Sequence, residues 1–238
     1  LKIWFFLYLF FSKIYTLPFF ERVSEDFDSY FRITSLFTLD IAFSLGGVMA
    51  NTPIDESLQY LYQTHIRSND TDAFLTFWKQ FGQNEVLAVY AAIGIAGFTL
   101  QSPFTEQLFN KCCRAFIVGT IPLYVMRVLT GGSRPVDEGE TSNWKPFTKL
   151  HGVSGHTYTG AVLFITLAKM TNHFLLKYLF YGASTLTGIS RINSDKHYTS
   201  QVLLGWIMAY VACDAIDFTD SKYYLSTNNG KISFGFEF

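Results

Sequence analysis

Apolar stretches separated by short clusters of turn and charged residues dominate this chain. Uncharged runs at 115–126, 157–168 and 202–213 are 12 residues each. The first lies between Arg114 and Arg127, the second ends at Lys169 and the third at Asp214. The stretch 33–53 carries Asp40, and 174–190 carries Lys177. Only 86–105 reaches 20 residues, and Ser102-Pro103 interrupts it. A helix needs about 20 apolar residues to cross a bilayer. Runs this short are expected as core helices of a globular bundle, with tilted or re-entrant helices as the alternative.

The punctuation between runs supports helices. Thr52-Pro53 followed by Asp55 and Glu56 predicts a start with proline at the first helical position. Asp72 is expected to open a helix over 73–81 that Gly82 ends. Asn84-Glu85 opens one reaching Leu100, and Ser102-Pro103 with Glu106 opens another toward Met126. The stretch 131–151 has turn residues but little periodicity, so it reads as a loop. Helices follow over about 156–170, 174–188 and 197–214. The expected fold is all-α. At the C-terminus, Ile232, Phe234, Phe236 and Phe238 alternate and would share one face of a short extended tail. A transmembrane barrel would need a series of ~10-residue alternating segments, which this sequence lacks.

Composition narrows the picture. Charged residues make up 16% of the 238 and aromatics 18%, so the chain is unusually poor in solvating groups. The net charge of −1 offers no basic field, and nucleic acid is excluded as a partner. No linker or composition break divides the chain, so one domain over 17–238 is expected. The segment 1–16 contains an apolar run at 3–11, the length of a signal-peptide core or a short N-terminal helix. Export predicts a periplasmic or extracytoplasmic protein, with a membrane surface as a possible partner. Cys112, Cys113 and Cys213 have neither the number nor the spacing of a disulfide framework or a zinc site.

The polar residues that stand out form three clusters. They are Arg127-x6-Arg134-Pro135, Ser154-Gly155-His156 and Ser190-Arg191-x5-His197. Arginine presents forked donors that match phosphate oxygens and stays charged. Histidine attacks or transfers protons near neutral pH. A glycine where a loop becomes a helix lets an anion approach free backbone N–H groups. All these residues fall at expected helix ends, where a bundle can gather them around a phosphate-like group.

Together the clusters strongly resemble the signature of the type 2 phosphatidic acid phosphatase and vanadium haloperoxidase superfamily. That signature reads Lys-x6-Arg-Pro, Pro-Ser-Gly-His and Ser-Arg-x5-His-x3-Asp, and the resemblance covers about 75 residues here. It implies a helical bundle of that superfamily's type. It implies that His197 is the nucleophile and that His156 protonates the leaving oxygen and then activates water. Arg127, Arg134, Arg191, Ser154 and Gly155 would bind the phosphate. No metal and no other cofactor are implied for phosphatase activity; vanadate would bind the same cradle as an inhibitor, or as the cofactor of a haloperoxidase. The implied substrate is a phosphorylated small molecule or a lipid phosphate.

Three positions depart from the signature: Arg127 stands for Lys, Val153 for Pro and Gln201 for Asp. The last matters most, because an amide can orient the nucleophilic ring but cannot offset its charge. Asp195 is a candidate substitute. The expected function is therefore a metal-independent phosphatase working through a phosphohistidine. The alternatives are a vanadium haloperoxidase, or a weakly active phosphate- or lipid-binding relative. His65 and His173 are expected to be structural. His151, Trp144 and Lys145 are candidates for substrate contact, and Asp137, Glu138 and Glu140 for a solvated loop or lid.

Overall fold

A computed structural model describes residues 17–83, 85–137, 141–221, 223–228 and 231–236. The segment read as a signal-peptide core, together with Glu138, Glu140 and Phe238, lies outside the described residues. Helices α1 (Leu17–Tyr30), α2 (Ile33–Ala50) and α3 (Ile54–Leu61) come first. After a π turn over Tyr62–Ile66 come α4 (Asn69–Lys79), a 3-10 turn (Gln80–Gly82) and α5 (Glu85–Leu100). Then come α6 (Pro103–Thr130), α7 (Gly155–Met170), α8 (Phe174–Asn193) and α9 (Thr199–Ser221). The chain closes with β1 (Tyr223–Asn228) and β2 (Lys231–Phe236), paired antiparallel with Ser226 opposite Ser233. The all-α expectation holds, and the extended tail is half of a hairpin.

Capping chemistry sets several boundaries. The Ser102 hydroxyl accepts from the Thr105 N–H with Pro103 in the first turn, and α6 ends on Gly131 in the left-handed region at φ 57°. Ser68 and Thr71 form a reciprocal capping box, so α4 begins three residues before Asp72. Pro53 takes the cap position of α3 rather than the first helical position, so the helix starts one residue later than expected.

Helix α9 is the axis around which α1, α2, α6, α7 and α8 pack. Its Leu204, Met208, Ala212 and Ile216 meet Ala115, Val118, Ala161 and Ile165 in one buried core. Close approach needs small residues: a Cβ on Gly119 of α6 would lie 2.0 Å from the Tyr158 hydroxyl of α7. That hydroxyl donates to the Ala115 carbonyl at 2.6 Å.

The outer surface overturns the expectation of core helices in a globular bundle. Helix α2 buries Ser35, Ala42, Gly46 and Ala50, and exposes Ile33, Phe37, Ile41, Leu45 and Val48. Helix α6 exposes Ile117, Ile121, Tyr124, Val125 and Leu129 while burying Lys111 and Arg114. Small or polar side chains inside and large apolar ones outside suit a hydrocarbon solvent. Among the described residues, Ile33–Ala50, Pro103–Thr130 and Thr199–Ser221 are long and apolar enough to cross a membrane. Charged residues at the run ends had made these elements look short. Arg114, however, is fully buried between Asp26 (2.6 Å) and Asp220 (2.7 Å), and Lys111 also reaches Asp220 at 2.9 Å. Lys169 and Arg32 share Asp214. This ion-pair network sits near the C-terminal end of α9, roughly 25 Å along the helix from its N-terminus at 1.5 Å per residue.

Candidate active site

The predicted site residues gather at the other end, where α6 ends and α7 and α9 begin. The loop after α6 folds back on that end. Lys145 and Phe147 donate backbone N–H groups to the carbonyls of Thr130 (3.1 Å) and Val128 (2.9 Å). Farther along, His151 N–H reaches the Gly132 carbonyl at 3.2 Å, and Ser154 N–H reaches the Gln201 carbonyl at 2.9 Å. The loop therefore joins the Arg127 end of α6 to the His197 end of α9.

Arg127 donates from Nε to the Val153 carbonyl at 3.0 Å, which lays its guanidinium over the start of α7. A Cβ on Gly155 would stand 2.3 Å from Arg127 Nη2, so only glycine leaves room for this arrangement. The guanidinium thus lies beside the N-terminus of α7, whose first backbone N–H groups have no intrahelical partner, and the two together offer a donor set for an oxyanion. Ser154 is fully buried and caps α7, its hydroxyl accepting from the Thr157 N–H (3.3 Å) and hydroxyl (2.8 Å). Its own O–H remains a donor. Arg134 and Arg191 each keep a buried Nε with no hydrogen-bond partner among the described residues. Buried donors normally find partners, so two orphaned guanidinium nitrogens beside a helix N-terminus fit a bound oxyanion.

His197 follows the left-handed residue Asp195 (φ 57°) in the turn between α8 and α9. Its ring is 2% exposed, and Nδ1 lies 2.7 Å from Gln201 Oε1. Gln201 is fixed at both ends. Its Nε2 donates to the Ser133 carbonyl at 2.7 Å, and its Oε1 accepts from the Tyr198 N–H at 3.3 Å. The amide can only present its oxygen to the ring, so Nδ1 carries the proton and Nε2 the lone pair.

Electrostatics tie the members together. Burial, then the charges of Arg191 and Arg134 and of nearby His156, outweigh the Gln201 hydrogen bond and bring His197 down to about 3. His156 is lowered to about 4 by burial, then by Arg191, Arg127 and Arg134. Both imidazoles are neutral at pH 7. A cavity of about 500 Å³ opens beside His156, lined by Arg127, Gly155, His156, Phe116, Thr120 and Leu123.

The remaining candidates fall differently. Asp195 is engaged away from His197: its carboxylate accepts from Gln59 Nε2 at 2.6 Å. His151 lies at the rim, and burial and then Arg134 lower its pKa. Asp137 accepts from the Arg134 N–H at 3.1 Å and lies 3.6 Å from Lys149, so it closes the Arg-Pro turn. The N–H of Arg134, with smaller help from Lys149 and His151, holds its carboxyl below the usual range despite some burial. Trp144 packs on Phe43, Gly46 and Gly47 of α2 rather than on the cavity. His65 and His173 are exposed. No sequence motif pointed to the Ser133 carbonyl, Asp55 or Gln59.

Residues 114–216 match the model of the PAP2 superfamily. The fold is similar to that of a solved structure described as the first transmembrane PAP2 type phosphatidylglycerolphosphate phosphatase from Bacillus subtilis. The TM-score is 0.56 at 17% identity, covering 78% of this chain and 96% of that one. No curated protein matches the chain.

Proposed function

We propose that this protein is a metal-independent phosphatase of the membrane, which hydrolyses a lipid phosphate through a phosphohistidine. The observation that carries the reading is the pair of orphaned donors on Arg134 and Arg191, whose charges act on a neutral His197 with its Nδ1 held by Gln201. In the first step Nε2 attacks phosphorus while the bond to the leaving alkoxide oxygen breaks. His156 gives that oxygen its proton. In the second step His156 takes a proton from water, whose oxygen attacks phosphorus, and the P–N bond breaks to return His197. Arg127, Arg134, Arg191, the Ser154 hydroxyl and the Gly155 N–H stabilise the equatorial oxygens throughout.

Lipid is favoured as the leaving group by the surface and the cavities. A nearly apolar groove of about 400 Å³ runs between α2 and α6, lined by Leu36, Phe43, Ile121, Val125 and Leu129. It suits an acyl chain. The solved structure with a similar fold is described as acting on a phosphatidylglycerolphosphate, and the same substrate class is proposed here. Vanadate fits the same donor set as an inhibitor.

The test is phosphate release in EDTA by detergent-solubilised protein and by His197→Ala. The panel is p-nitrophenyl phosphate, phosphatidic acid and phosphatidylglycerolphosphate, with bromide oxidation in vanadate as a separate arm. Turnover of the lipids that vanishes in the variant is expected. Turnover that needs a metal, survives in the variant, or is replaced by bromide oxidation contradicts the reading.

A further inference from the structure

The turn that carries His197 is gripped from outside the segment 114–216 that matches the family model. Helix α3 presents Asp55 and Gln59, one turn apart on one face and both buried. The Asp55 carboxylate accepts from the Ser200 N–H at 3.0 Å through one oxygen and from the Ser200 hydroxyl through the other. It therefore serves as a cap supplied by another helix, placing negative charge at the positive end of α9. Gln59 Nε2 holds the other side of the turn. It donates to the Ile192 carbonyl at 3.1 Å, where α8 ends, and to Asp195 at 2.6 Å. Gln63 adds a bond to the Ile192 carbonyl at 2.8 Å, so the link to Asp195 is what Gln59 alone supplies.

His197 hangs between these two grips. Its N–H reaches back to the Arg191 carbonyl at 3.3 Å, and Asp195, two residues before it, is in the left-handed region. A non-glycine residue stays there when surrounding contacts over-determine it. We infer that Asp55 and Gln59 are positioning residues that set the distance and angle of His197 Nε2 to the phosphorus held by the arginines. The inference rests on the phosphatase reading above. Neither side chain touches the substrate, so binding and turnover should separate. An attack geometry loosened by an ångström costs rate far more than affinity.

The experiment compares kcat, KM and vanadate inhibition of the whole chain for wild type, Asp55→Ala, Asp55→Asn and Gln59→Ala. A misplaced nucleophile should lower kcat of Asp55→Ala about tenfold or more while KM and vanadate inhibition stay within about threefold. Asp55→Asn should recover most of kcat. Its amide oxygen can accept from the Ser200 N–H and its amide nitrogen can donate to the hydroxyl. Gln59→Ala should lower kcat with KM unchanged, and it decides the matter if Asp55→Ala does not fold. Wild-type kcat in Gln59→Ala and in a folded Asp55→Ala overturns the inference. So does an Asp55→Asn as impaired as Asp55→Ala, or a loss confined to KM. An inactive wild type instead overturns the phosphatase reading beneath it.

Discussion

The Gln201 carboxamide has a carbonyl at its nitrogen end and an N–H at its oxygen end, so the side chain cannot turn over. A carboxylate in its place would set Ser133 carbonyl oxygen against carboxylate oxygen. The neutral amide therefore suits this particular loop and still imposes the tautomer. What it does not supply is charge, and burial beside two arginines leaves His197 at about 3. His156 stays neutral down to about 4 for the same reasons. The sign of the pH dependence follows from these two values. In the proposed mechanism the form that reacts has His197 unprotonated and His156 protonated. Lowering the pH from 7 toward 4 fills His156 before it reaches His197, so kcat/KM rises on acidification and falls only below about 3. A bound phosphate cancels the arginine charges that depress His156, so the kcat optimum lies higher. A kcat/KM profile corrected for substrate ionisation, with its maximum at pH 7 or above, contradicts this assignment.

At the scale of elements, the starts of α5 and α6 are legible because Glu85, Ser102 and Pro103 act locally. The ends of α8 and α9 are not. Arg191 and Asp214 look like stops in the sequence, yet α8 runs to Asn193 and α9 to Ser221. Arg191 turns into the site, and Asp214 is paired with Lys169 and Arg32. Ion pairs between distant segments leave no periodic trace in the sequence, so the charges read as solvated. The three clusters of the site were legible for the opposite reason: each lies at a helix end and has a fixed local spacing. The Asp55 and Gln59 contacts bridge more than a hundred residues and belong to no motif. The Arg114–Asp26 pair shows what such a distant contact contributes. Both oxygens of Asp26 accept from the guanidinium, at 2.6 and 2.7 Å, and both residues are fully buried. Arg114→Met leaves a buried carboxylate without that partner, and a loss of about 3–5 kcal/mol is expected. Adding Asp26→Leu should return much of it. Thermal melting in detergent measures both; a loss under about 1 kcal/mol in the single variant contradicts the role given to the pair.

The whole molecule is layered along α9. The ion-pair network lies at one end, the proposed phosphate cradle at the other, and outward-facing Ile, Leu, Phe and Val of α2 and α6 between them. That order places the proposed chemistry at a membrane surface, where a lipid headgroup reaches the arginines while its chains stay in hydrocarbon. Overall hydropathy blurs this layering, because +0.20 averages an apolar belt with two polar ends. The central claim is that the phosphoryl group passes through His197. Rapid quenching of the protein with phosphorus-labelled phosphatidic acid, followed by peptide mapping under alkaline conditions, tests it most directly. The account predicts an acid-labile label on His197 that appears before phosphate is released and is absent from His197→Ala. Label on another residue, or full turnover with no trapped phosphoenzyme, would contradict it.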